Sequence, residues 1–140
     1  MPPMPKDEKQ EFIDKMYRDR GYILDFHKIM VAEDFEWLKA YNGLIEAAYT
    51  DKRSLDAKTK EIIYTVVLTA LRGSVDHIKA HMQLALDYGA TRQELLEALQ
   101  ITMLPAGVPA YMQGIEAWKQ VASPKRIEPS VPKKSSGGRT

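Results

Sequence analysis

The chain has no cysteine. Disulfides, thiolate metal sites and thiol redox chemistry are therefore outside its repertoire. Net charge is also nearly absent: 20 Lys and Arg stand against 19 Asp and Glu. The balance is uneven. From Ser123 onward five basic residues face one acid, Glu128, which leaves a body with 15 basic and 18 acidic residues, net −3. A body of that sign is poorly suited to neutralising phosphates, so no nucleic acid is expected as a partner. Long hydrophobic runs are missing. The longest uncharged run, Ala98 to Ile115, contains Pro105, Gly107, Pro109 and Gly114, and reads as helix, break, helix rather than a membrane span. The opening "MPPMPKDEKQ" lacks the apolar centre of a signal peptide, which makes the cytoplasm the expected location, and no membrane partner is expected. Strand-like alternation bounded by turn residues is absent as well.

What remains is helical periodicity, which points to an all-α fold of about six helices. The first is expected over Lys6 to Arg20, with a narrow apolar stripe of Phe12, Ile13, Met16 and Tyr17 and a stop at Gly21. The second runs from about Ala32 to Tyr49. The third covers Asp56 to Leu71, and its body "IIYTVVLTAL" is apolar all round, as expected for a central buried helix. The fourth starts near Ser74 and ends before Gly89. Thr91 and Glu94 form a capping-box pattern for the fifth, which is expected to end near Leu104. "LPAGVPA" then interrupts, and a sixth helix runs from Pro109 or Ala110 to Val121. One helical domain over residues 1–122 is expected. Residues 123–140, rich in Pro, Ser, Gly and Lys, have almost nothing to bury and read as a disordered basic tail.

Two of the three histidines, His77 and His81, lie four residues apart in "GSVDHIKAH". On a helical wheel His81 falls inside the apolar arc of Val75, Ile78, Met82, Ala85 and Tyr88, and His77 falls at its edge. His81 should therefore point into protein and His77 should sit on the rim. Three roles are open. Histidines at i and i+4 can share a zinc ion, but the spacing lacks the glutamate of the HExxH motif, and a third ligand would have to come from Glu61, Asp76 or His27. A histidine on an apolar face is also commonly a satisfied core residue. Finally, an imidazole in a partly dry pocket is a good proton donor or acceptor near neutral pH. Glu61 bears on the choice. It begins an inward row through Tyr64, Thr65 and Leu68. A carboxylate there is costly unless paired, although a first-turn glutamate is also favoured by the helix dipole. Facing His81, it would form a coupled acid–base pair. Arg72 can anchor a carboxylate or simply complement a helix C-terminus. Tyr111 reads as core or pocket lining, and His27 as packing or surface.

"KTKE" opening an apolar helix, a histidine in the next helix, "GATRQELLEAL" and "AGVPAYMQG" together resemble the carboxymuconolactone decarboxylase family, which shares its fold with the AhpD-type alkylhydroperoxidases. The resemblance spans Leu55 to Trp118. It implies an AhpD-like helical domain assembled as a homotrimer or homohexamer. The peroxidase branch carries CxxCxxxH with an upstream glutamate. Here the pattern is SxxHxxxH, with Ser74 and His77 in the cysteine positions, His81 retained and Glu61 as the upstream acid. Thiol peroxidase activity is excluded, and the decarboxylase branch is the better match. The resemblance then implies a cofactor-free decarboxylase, or related lyase or isomerase, acting on a small carboxylated lactone or similar aromatic-degradation intermediate. His81, Glu61 and His77 would be catalytic, and Arg72, Ser74 and Tyr111 would contact substrate. No metal or organic cofactor is implied, because the substrate supplies its own electron sink. The alternatives are an oligomeric member that binds ligand without turnover and a histidine metal site.

Overall fold

A computed structural model describes residues 7–131. Residues 132–140, half of the expected disordered tail, lie outside this range. Seven α-helices occupy it: α1 Glu8–Arg20, α2 Asp25–Glu33, α3 Phe35–Ile45, α4 Ala57–Ala70, α5 Val75–Asp87, α6 Arg92–Ala106 and α7 Val108–Ala122. A π-helical turn, Glu46–Thr50, extends α3.

The caps explain most boundaries. Asp7, Asp34, Asp56, Ser74 and Thr91 each accept a backbone N–H with the side chain at the start of a helix. At Thr91 the capping box is complete, since Glu94 returns a hydrogen bond to the Thr91 N–H. Gly21 ends α1 with φ +81°.

Two expectations need correction. The second expected helix, Ala32 to Tyr49, is α3 with its π-helical turn, and α2, Asp25–Glu33, precedes it as a helix not expected; the two meet at Asp34, whose carboxylate caps Trp37 N–H at 3.2 Å. A cap without glycine or proline is a weak stop signal in a sequence. The fifth helix also runs past Leu104 to Ala106, with Pro105 in its last turn. The break comes instead at Gly107, whose φ of +87° favours glycine.

Helices α4 to α7 form the main bundle. Its core joins Ile78, Met82 and Ala85 of α5 to Leu95 and Leu99 of α6 and to Ala117 and Trp118 of α7. Helix α7 comes so close at Gly114 that an added Cβ would sit 2.6 Å from Leu99 Cδ2 and 2.8 Å from Thr69 Cγ2. A smaller core of Met16, Val31 and Leu38 ties α1, α2 and α3 together.

Helix α4 packs against α5, α6 and α7, but it is not buried all round. Its inward row is Glu61, Thr65 and Thr69, while Ile63, Val67 and Leu71 face outward at 44, 48 and 74 % exposure. The two inward threonines donate to carbonyls one turn back, at 2.8 Å each, which satisfies their hydroxyls. Tyr88, placed by the wheel in the apolar arc, and Tyr17 are both more than half exposed.

Candidate active site

The polar row of α4 begins with Glu61, and α5 supplies the group that meets it. His81 Nδ1 lies 2.7 Å from Glu61 Oε2, with both side chains almost entirely buried. Glu61 Oε1 accepts a second hydrogen bond from the Tyr49 hydroxyl. Tyr49 stands on the π-helical turn, a backbone irregularity common at functional sites. Both carboxylate oxygens are thus satisfied, which makes a buried glutamate tolerable.

Aromatic rings enclose His81. Tyr64 stacks on its face with centroids 3.8 Å apart, and Tyr22 and His77 approach at 5.0 and 5.2 Å. A carboxylate accepts the Nδ1 proton, so in the neutral ring Nε2 carries the lone pair. That Nε2 is buried and has no hydrogen-bond partner, and the same is true of His77 Nε2. Buried unpaired polar atoms are rare enough to call for an explanation. His77 is half-buried. Burial, and then the neighbouring His81, lowers its affinity for a proton, which favours the neutral ring. Burial also raises the phenol pKa of Tyr22, Tyr49 and Tyr64, and in Tyr49 the Glu61 hydrogen bond adds to it.

A second buried polar cluster lies among the first three helices. Arg20 donates to Asn42 Oδ1, and its Nη1 lies 3.2 Å from His27 Nε2. Asn42 in turn donates to Glu46 at 3.0 Å. The Leu24 N–H reaches His27 Nδ1 at 3.1 Å. A neutral imidazole has one acceptor nitrogen, so these two donors compete for one lone pair. Burial and then the Arg20 charge lower the His27 pKa to about 4.

A cavity of about 350 Å³ opens beside the pair. Tyr49, Glu61 and Arg20 line it, and neither histidine of α5 does. Glu61 and Tyr49 thus adjoin both the cavity and His81.

The structure brings Glu61, His81 and His77 together and leaves the expected substrate-binding residues elsewhere. Arg72 is exposed just past α4 with φ +56°. Ser74 caps α5 by accepting from His77 N–H at 3.2 Å. Tyr111 packs against the main core. None of the three lines the cavity. Tyr49, Tyr22 and Arg20 enter the site without having been singled out by sequence, and His27, expected as packing or surface, is buried. Among the described residues no group of three His, Cys, Asp or Glu is placed to hold a metal ion. The third ligands the sequence allowed are engaged or exposed: Glu61 holds His81, His27 meets Arg20 and Leu24, and Asp76 is exposed.

Residues 36–120 match the carboxymuconolactone decarboxylase family, and the chain belongs to it. An uncharacterized protein of Cupriavidus necator is 36% identical over 80 residues, which are 57% of this chain and 69% of that one. An uncharacterized protein of Methanocaldococcus jannaschii is 25% identical over 87 residues, 62% of this chain and 79% of that one. Among solved structures, an apo carboxymuconolactone decarboxylase family protein from Legionella pneumophila is 27% identical with a TM-score of 0.59. The match covers 81% of this chain and 94% of that one. A Burkholderia xenovorans structure aligns with a TM-score of 0.64 at 19% identity, covering 81% and 93%, and shows likeness of fold alone. Among the described residues no helix is long and apolar enough to cross a membrane.

Proposed function

We propose that the protein is a cofactor-free carbon–carbon lyase, a decarboxylase of a small carboxylated lactone of the 4-carboxymuconolactone kind, with His81 as its acid–base group. One observation carries the reading: His81 is fixed to Glu61 through Nδ1 at 2.7 Å while its Nε2 is buried and unpartnered. That arrangement holds one tautomer and one ring orientation, and leaves one nitrogen free for chemistry. In the reaction the bond to the carboxyl carbon breaks and CO2 leaves. The electron pair passes through the ring double bond onto the lactone carbonyl, giving a dienolate. Protonated His81 then delivers a proton from Nε2 to the ring carbon and recovers one from solvent. Glu61 supports the imidazolium that the cycle requires. His77, whose neutral form is favoured, offers a second hydrogen-bonding nitrogen toward the developing oxyanion.

The proposal extends to assembly. Ile63, Val67 and Leu71 form one exposed apolar row on α4, and Ile101, Leu104, Val108 and Met112 are exposed on α6 and α7. Burying such rows against further copies of the chain suits a homotrimer or homohexamer.

Turnover of 4-carboxymuconolactone, followed by CO2 release, tests the reading. His81→Asn is expected to lower kcat by about 10²- to 10⁴-fold, the usual contribution of a positioned acid–base group, with the helical circular-dichroism spectrum unchanged. A folded variant with full activity rejects the assignment. Binding of the lactone by the wild type without any CO2 release favours a ligand-binding protein instead.

A further inference from the structure

The cavity beside Glu61 has an unusual charge inventory. Four cations line it, Arg20, Lys52, Arg53 and Lys60, together with four acids, Asp19, Asp51, Asp56 and Glu61. Formal charge cancels, but the commitments of the two sets differ. Asp19 is paired with Lys15 at 2.7 Å, outside the cavity lining. Asp56 caps Thr59 N–H at 2.7 Å, and Glu61 holds His81 and Tyr49. Only Asp51 among the four has its carboxylate free of such a hydrogen bond or ion pair among the described residues.

The cations are bound to neutral groups. Lys60 donates to the carbonyls of Tyr49 and Asp51 at 2.9 and 2.7 Å, and Arg53 donates to the Ala47 carbonyl at 3.3 Å. Arg20, only 4% exposed, meets His27 and Asn42. Among the described residues none of these cations has a carboxylate within ion-pair distance. Arg20 is the decisive member. A buried guanidinium with only neutral partners lacks the counter-charge that normally offsets its desolvation, and its planar fork suits a carboxylate. The amino-terminal end of α4, which begins at Ala57 and lines the same cavity, adds a favourable dipole.

We propose that this cavity binds the carboxylate of a small organic acid, with Arg20 as the buried counter-charge and Lys52, Arg53 and Lys60 around the mouth. The volume, about 350 Å³, suits a molecule of that size. The inference rests on the lyase reading only in taking that acid to be the substrate. It also gives the approach a direction: the anion enters between the end of α1, the π-helical turn and the start of α4, beside Glu61 and Tyr49, both of which line the cavity and adjoin His81.

Calorimetric titration of the full chain with adipate, dimethyl adipate and inorganic phosphate tests the site. Adipate should bind saturably and its uncharged diester should not. Arg20→Gln should weaken adipate binding by about tenfold or more, as expected for loss of a charge-assisted contact. If that variant fails to fold, Arg53→Gln combined with Lys60→Gln keeps the test, and should weaken binding severalfold. Absence of saturable adipate binding, equal binding of the diester, tighter binding of phosphate, or undiminished binding by the Arg53/Lys60 double variant overturns the proposal. Adipate binding that survives His81→Asn, with no lactone turnover by the wild type, would support this site and reject the lyase. Lactone turnover with an unchanged KM in the Arg53/Lys60 double variant would do the reverse.

Discussion

At Glu61 a buried carboxylate is offset twice, by His81 and by Tyr49, and the catalytic proposal rests on that arrangement. His27 sets up the opposite situation, a buried imidazole between two donors. Its pKa falls from 6.5 to about 4. Below about pH 6.5 the unfolded chain takes up a proton that the folded chain refuses until about pH 4. Stability should therefore be fully present above pH 6.5 and fall as the pH drops through that window. His77 acts in the same direction. Urea unfolding midpoints should decline from pH 7 to pH 4.5, and His27→Gln should flatten the decline. An identical slope in the variant contradicts this account. The inward His81 was legible from its place in the apolar arc of α5, but its facing of Glu61 stood only as a condition, because helical spacing does not show which rows of two helices meet. Arg20 was not legible. Beside Gly21 it reads as a last-turn cation, and only the packing of α2 and α3 over it buries it.

Among the elements, α4 teaches the most. Its sequence is apolar all round, yet the row turned inward is Glu61, Thr65 and Thr69. Periodicity could not reveal this, since the outward residues are at least as hydrophobic as the inward ones. The threonines are there for closeness: Thr69 and Leu99 meet α7 at Gly114. Thr69 is pinned by its hydrogen bond to the Thr65 carbonyl and cannot rotate away cheaply. Gly114→Ala gains about 1 kcal/mol of helix propensity, but overpacking typically costs about 1–3 kcal/mol. Net destabilisation is expected in a thermal melt, and a raised melting temperature would show that α7 moves aside freely. The capped starts of α5 and α6 were readable from Ser74 and Thr91. The π-helical turn that carries Tyr49 was not, because no residue type marks where an α-helix widens by one residue, and the Tyr49 contribution to the site was hidden with it.

For the molecule as a whole, the exposed apolar rows of α4, α6 and α7 matter as much as the core. Sedimentation of the wild type should show a trimer or hexamer, and Val67→Lys with Leu71→Lys should shift it toward the monomer. A wild type that sediments as a monomer rejects the assembly. The family itself was legible because its marks are local motifs in α4 to α7. The cavity was not, because it is assembled from α1, the π-helical turn and the start of α4, which only the fold brings together. The central claim is that Glu61 and His81 act as one acid–base unit, and a double-mutant cycle on kcat/KM for lactone decarboxylation tests it most directly. Glu61→Gln and His81→Asn should each lower kcat/KM, and the double variant should be no slower than the worse single one, as for groups that work only together. Losses that multiply in the double variant would mean that the two residues act independently, and would contradict the account.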